Sequence, residues 1–552
     1  MPLSPHFSFL DWSVVAGYML VVLAMGAWIS RKQADSRYFF LGGRTVPAWA
    51  VACSVIATAI SAATFIGVPQ VAFEGDLTYL ITNLGSVIAA FIIAFLFVPP
   101  IYNAGTITIY GYLGQRYGTG AKSAAGIMFL LGRLLSSGAR LFMAAIGFAM
   151  MLSGDTTQNE LIFAVIILGI VGTLYTIFGG IRAVIWTDVL QLFVFTAAAL
   201  FVLVYLWRLI PASGQDILAA LRNSDGVNKL RVVNTSFTIS NPFTLWSGLF
   251  AMTIVGISTH GVDQDMLQRV MTAKSPLHGG WALISSMILT IPVVLLFLVI
   301  GLLLFVFYQR PDLMGAAAPQ DIIEDTRRVF PQFVLHHLPT GLRGLTMAGL
   351  FASAMSTFDS AITAMASCLI ADVYAPWHSR RKGTTASDRD EALPDLQHSR
   401  LAVGFMGALL TAFAVGAIYM QESGGQTLID FALGVMAFAL APLLGVFCAA
   451  LFTRRGNSRS VYAALGIGIF AVLLLQPYML PAITGVKIGW TWVWVFVSPV
   501  CFLVCLLGAP GKTVEGNASR RPICLTIPAP SHSKPGRKRP LRAAWRRTAS
   551  MR

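Results

Sequence analysis

The sequence predicts an all-α polytopic membrane protein of about thirteen transmembrane helices, and three observations predict it. Of its 552 residues, 56% are hydrophobic and only 11% are charged, whereas a soluble globular chain carries about 25% charged residues. The apolar residues gather in stretches of roughly 20, the length that crosses a bilayer's hydrocarbon core as a helix. The basic residues alternate between loops. Those after odd-numbered stretches, together with the C-terminal tail, hold 28 of the 39 Lys and Arg, and those after even-numbered stretches hold about nine. By the positive-inside rule the odd loops and the C-terminus are cytoplasmic and the N-terminus lies outside. The chain thus reads as multi-pass in the cell (inner or plasma) membrane.

The first stretch, residues 12–30, follows a flank that carries Asp11 and no Lys or Arg, and no small-residue cleavage site follows it. It reads as a retained helix rather than a signal peptide. Stretches at 46–71, 79–103, 122–151, 160–179 and 183–208 come next, followed by 244–262, 278–308, 340–374, 400–420 and 427–452. The last two are 460–477 and 488–508. Two of the thirteen look broken. In "AVACSVIATAISAATFIGVPQVAF", Thr58, Ser61 and Thr64 interrupt the second stretch, and Gly67 with Pro69 argues against one continuous helix. In "GISTHGVDQDMLQR", two glycines and two aspartates argue for an interruption or early exit of the seventh. Broken helices free backbone carbonyls that ligate sodium, and they are tolerated only around a cavity.

The formal charge of +15 is not a nucleic-acid signal, because it is concentrated. Residues 510–552 carry eleven Lys and Arg against Glu515, which leaves +5 for the other ~500 residues. That tail is rich in Pro, Ser and Arg, reads as disordered, and suits an anchor attracted to anionic lipid. The six cysteines show no metal spacing, so neither a zinc site nor a disulfide framework is implied. An intramembrane enzyme is disfavoured too, since His336 and His337 lack HExxH spacing. A channel would need a continuous polar pore, and a sensor would need an output domain. Isolated polar clusters between apolar stretches favour an occluded binding site.

The densest cluster is "SAMSTFDSAIT", Ser353 to Thr363. At 100° per residue, Ser353, Ser356, Thr357 and Ser360 share one helix face. Hydroxyls alone serve close helix packing. They do not explain Asp359, because an acid deep in a span marks an ion or substrate path. Calcium or magnesium would recruit several carboxylates; neutral hydroxyl oxygens suit sodium. Asp188, flanked by Thr187 and Gln191, lies about one and a half turns into its span. Its plainer reading is a helix-start acid favoured by the dipole. Two buried charged acids require a cation or an arginine nearby. Arg133 and Arg140 lie within about 20° of one face, with Ser136 and Ser137 between them. Each costs about 2.5–3.5 kcal/mol near a helix centre, so they too need partners. In the plainer reading one snorkels and the other pairs with a protein carboxylate. In the functional reading one binds a solute carboxylate through two parallel hydrogen bonds. Arg133, nearer the middle of the span, is favoured, and the solute is predicted to be an organic anion or zwitterion.

"GGIRAVIWTDVLQ", "VDQDMLQRVMTAKSP" and "AMSTFDSAIT", in that order, resemble the sodium/solute symporter family over roughly residues 10–508. The resemblance implies no enzyme but a symporter importing a small organic solute by alternating access, with Na+ as coupling ion. It implies the inverted-repeat fold shared with leucine and neurotransmitter-amine transporters. Residues 46–208 and 244–453 would form the repeats, with 1–30 an extra helix, 460–508 two C-terminal helices and 509–552 the basic tail. The main sodium site would take backbone carbonyls of Ala57, Ile60 and Ser353 and hydroxyls of Ser356 and Thr357. A second site found in some members matches Asp188 and a hydroxyl pair that falls here on Asp359 and Ser360. The substituted acid would either tighten a second sodium site or carry a proton. Thr64, Asn83 and Ser86 match polar positions of sugar-transporting members, though the rest of the sugar set is not evident. Sialic-acid-carrying members use an arginine on the helix equivalent to that of Arg133 and Arg140. A sugar symporter and a proton-coupled transporter remain the alternatives.

Overall fold

A computed structural model describes residues 7–30, 35–154, 156–223, 226–320, 323, 325–382, 395–421, 428–476 and 479–509. The basic tail read as meeting anionic lipid lies at 510–552, outside the described residues. Among the described residues the regular structure is helical, apart from one isolated bridge between Val46 and Ala273.

The chain begins with α1 (Phe9–Ser30), then the bent pair α2 (Ala48–Ala59) and α3 (Ala62–Glu74), whose axes differ by 60°. α4 (Thr82–Ile92), α5 (Thr119–Ser153) and α6 (Gln158–Leu209) follow. A second pair, α7 (Met252–Gly261) and α8 (Gln264–Met271), precedes α9 (Pro276–Gln309) and α10 (Leu342–Cys368). α11 (Leu396–Gln421), α12 (Leu428–Phe452), α13 (Ser458–Leu474) and α14 (Trp490–Leu506) complete the order.

Seven helices among the described residues are long and apolar enough to cross a membrane, and the α2–α3 pair makes an eighth. Three shorter apolar helices end the chain. The predicted fifth and sixth stretches are two helices that meet at a kink at Gly180 (φ 58°, ψ 177°) within α6, a backbone conformation that glycine adopts without a Cβ clash.

The second stretch is broken, but not where its glycine and proline suggested. α3 runs through both Gly67 and Pro69; the helical path is lost instead at Ile60 (φ −87°, ψ 87°) and Ser61 (φ −90°, ψ 178°). Pro69 sits inside α3 and, lacking an N–H, removes one helical hydrogen bond, a loss that packed neighbours tolerate inside a membrane. The seventh stretch breaks at Val262 and Asp263, and the Asp263 side chain caps α8 by accepting from the Asp265 amide.

α10 is the centre of the bundle: 94% of its most apolar window is buried, against 22% for α1. It packs on α6, α5, α1, α11, α8 and both halves of the first broken pair. Asp11 ties α1 to the start of α10 by accepting from the amides of Gly341 and Gly344, both at 2.8 Å, donors that a helix start leaves free. Small residues set the close crossings. A Cβ on Gly85 would lie 2.3 Å from the Gly248 carbonyl and 2.7 Å from the Thr253 amide, so α4 and α7 meet backbone to backbone.

Candidate functional site

Two broken helices and the hydroxyl face of α10 converge on one buried polar cluster. The end of α2 leaves carbonyls without helical partners, and α10 faces it. Thr357 Oγ1 lies 3.4 Å from the Thr58 carbonyl and 3.2 Å from the Ser353 carbonyl. Ala57, Ile60, Ser353, Ser356 and Thr357 are all buried. The five groups carried over for sodium thus come from the α2 break and from the α10 turn opposite it.

Beside them lies a chain of charge. Asp188 on α6 accepts from Ser54 Oγ and Ser356 Oγ, each at 2.5 Å, and from Arg269 Nη2 at 3.4 Å. Arg269 on α8 also donates from Nε to Ser54 Oγ (2.8 Å), from Nη1 to Asp265 Oδ1 (2.5 Å), and from Nη2 to Ser360 Oγ. Asp359 accepts from Tyr175 OH at 2.7 Å and from Ser360 Oγ at 3.2 Å. The arginine that two buried acids demanded is therefore supplied from the second broken helix, 81 residues beyond Asp188.

Arg133 requires a correction. Sequence favoured it for the solute, but its Nη1 donates to Asp263 Oδ2 at 2.9 Å and its Nη2 lies against the Asp265 carboxylate. The break before α8 turns two acids towards α5, and Arg133 meets them there. Arg140, two turns on, has a different setting. It lines a cavity of about 10 Å³ with Ser61, Ala62, Ser137, Ala354, Thr357 and Phe358. Its Nη2 approaches Met436 Sδ at 3.2 Å, and its buried Nη1 has no hydrogen-bond partner among the described residues. Thr64, Asn83 and Ser86 do not line that cavity. Asn83 and Ser86 instead bond to carbonyls of their own segment, at Leu80 and Thr82.

A cavity this size holds about one water and is too small for an organic solute.

The sodium:solute symporter family profile matches residues 39–468, more than three quarters of the chain. This chain belongs to the sodium:solute symporter family. Over 469 residues it is 24% identical to the sodium/sialic acid symporter SiaT of Proteus mirabilis, covering 85% of this chain and 89% of that one. It is 27% identical to the human sodium/iodide cotransporter over 477 residues, 84% and 69% of the two chains. It is 26% identical to human sodium-coupled monocarboxylate transporter 1, over 84% and 72%. The solved substrate-bound, outward-open structure of a Na+-coupled sialic acid symporter superposes with a TM-score of 0.75 at 22% identity, covering 92% of this chain and all of that one. The fold is thus the inverted-repeat fold of that family and of the leucine transporters. The protein is a multi-pass, sodium-coupled symporter of a small solute and not an enzyme.

Within this symporter, sequence reasoning missed Ser54, Arg269 and Tyr175. Ser54 was open to discovery, being one turn before Thr58 on the same face of α2; Thr58 Oγ1 bonds back to its carbonyl. Arg269 lay in a quoted motif, four residues after Asp265, but nothing local reveals that it reaches α6 and α10. Tyr175 carries no local signal at all.

Proposed function

We propose that this symporter imports a small carboxylate-bearing or zwitterionic solute, and that Arg140 receives the carboxylate. One observation carries the reading: Arg140 shares a cavity with Thr357 and with the Ser61 break, and a buried guanidinium nitrogen there has no described partner. A guanidinium prefers a carboxylate held through two parallel hydrogen bonds. The sialic acid, monocarboxylate and iodide relatives all carry anions by name, which supports the same choice. Sodium held between the α2 break and Ser353, Ser356 and Thr357 would stabilise the closed arrangement of α2 against α10, coupling ion and solute through one cavity.

The proposal includes residues 46–208 and 244–453 as the two inverted repeats, an outside N-terminus, and a cytoplasmic basic tail that meets anionic lipid. The experiment is uptake into proteoliposomes, with and without an inward sodium gradient, of labelled pyruvate, a sialic acid, proline and glucose. At least one acid should accumulate with sodium, and Arg140→Gln should reduce that uptake at least tenfold. Uptake of glucose alone, with Arg140→Gln fully active, would establish the sugar reading instead. Accumulation that ignores sodium and follows a proton gradient would establish the proton-coupled one.

A further inference from the structure

The cavity beside Arg140 holds a second polar group without a partner. Ser137 lies on α5 one turn before Arg140, and residues three apart are neighbours on a helix face. It lines the same cavity, is 2% exposed, and its Oγ has no hydrogen-bond partner among the described residues. A serine or threonine inside a helix can return its hydroxyl to a carbonyl of the preceding turn. Ser136 does so, to Arg133 at 3.4 Å, and Ser153 to Ala149 at 3.0 Å. Across the cavity Ser353 bonds to Leu350 at 2.9 Å and Thr357 to Ser353 at 3.2 Å. Ser137 alone of these leaves its hydroxyl unused, and a buried hydroxyl without a partner is costly.

We propose that Ser137 reads a hydroxyl or amino group on the carbon next to the solute carboxylate, which makes the solute a 2-hydroxy or 2-amino acid. The inference rests on the Arg140 reading and names the solute's second functional group. A guanidinium brings only donors, and its two terminal nitrogens match the two oxygens of one carboxylate. Nη1 of Arg140 is unpartnered and Nη2 meets the thioether of Met436, a weak acceptor, so both can turn to the acid. The carboxylate then has no need of Ser137. A hydroxyl also accepts, so Ser137 suits a solute group that donates. The two side chains stand about 5–6 Å apart at Cβ, a span that a carboxylate and a substituent on its neighbouring carbon bridge together. Of the cavity's other hydroxyls, Thr357 is turned to the carbonyls of Thr58 and Ser353, and Ser61 lies in the break itself. An acid without the substituent would seal Ser137 Oγ in with nothing to bond, which weakens binding by about tenfold.

The test compares matched pairs of acids on the purified full-length chain in detergent with sodium, read as the concentration giving half-maximal thermal stabilisation. The pairs are lactate and propionate, proline and cyclopentanecarboxylate, and N-acetylneuraminate and its 2-deoxy analogue. In at least one pair the substituted acid should bind about tenfold more tightly than its plain counterpart. Ser137→Ala should bring the members of that pair together by weakening the substituted acid alone, whereas Arg140→Gln should weaken both. A preference that survives Ser137→Ala would overturn the inference, and would leave the Arg140 reading standing if Arg140→Gln still weakens both acids. Equal weakening of both members by Ser137→Ala would overturn it too, because Ser137 would then hold the carboxylate itself. A wild type that takes both members of every pair equally, or favours the plain acids, would overturn it as well. Binding of no acid, or binding indifferent to Arg140→Gln, would overturn the Arg140 reading and this inference with it.

Discussion

Arg133 and Arg140 differ only by two turns of α5, and the structure gives them opposite environments. Arg133 sits between Asp263 and Asp265. Removing it takes the arginine from Asp263, while Asp265 keeps Arg269, and breaking a buried pair costs about 3–5 kcal/mol. Arg133→Gln should therefore lower thermal stability in detergent sharply, whereas Arg140→Gln should leave it near the wild-type value; equal melting temperatures for the two variants would contradict this. At the proposed sodium site, Thr357→Ala removes a hydroxyl aimed at the α2 break. Half-saturation by sodium should shift upward by about tenfold in sodium-dependent stabilisation, one lost contact of roughly 1.4 kcal/mol. A superimposable titration would remove Thr357 from the site. The sequence foresaw that Asp188 and Asp359 need company, since charge in a membrane demands a partner. It did not name the partner, because the contact from Arg269 to Asp188 depends on how α8 docks after its break.

The elements that position these residues are the breaks and the close crossings. Both breaks were legible as polar interruptions of apolar stretches. Their exact residues were less so: Gly67 and Pro69 drew attention, while the path is lost at Ile60 and Ser61. Helix propensity marks what weakens a helix, but the fold decides which weak point opens by what must approach it, here the hydroxyl face of α10. The α4–α7 crossing makes a prediction of its own. A methyl group at Gly85 would strike the Gly248 carbonyl at 2.3 Å and the Thr253 amide at 2.7 Å, and backbone cannot step aside as a side chain does. Gly85→Ala should reduce the yield of folded protein and lower its melting temperature, read by size-exclusion chromatography and a thermal scan. A monodisperse variant of wild-type stability would show that α4 and α7 stand further apart. By contrast, Gly416, beside which a Cβ would meet nothing within 4 Å, should accept alanine without loss.

Across the whole molecule, the fold class, the family and the helix that holds the hydroxyls were readable from composition and three motifs. The junction of the fifth and sixth stretches was legible too, at the Gly180 kink, whereas apolar length did not mark the break at Ile60. The pairing of Arg133 was not readable either: both arginines share a face, and only the docking of α8 brings Asp263 and Asp265 to one of them. The cavity between α3, α5 and α10 holds only about one water, so on the proposed reading a solute enters it once the bundle opens, with sodium biasing which state is populated. The most direct measurement is solute accumulation in proteoliposomes under an inward sodium gradient, with sodium replaced by potassium as the control. This account predicts accumulation of a carboxylate solute above its external concentration, abolished by potassium and right-shifted in sodium by Thr357→Ala. Uptake that only equilibrates, or that proceeds equally in potassium, would contradict it.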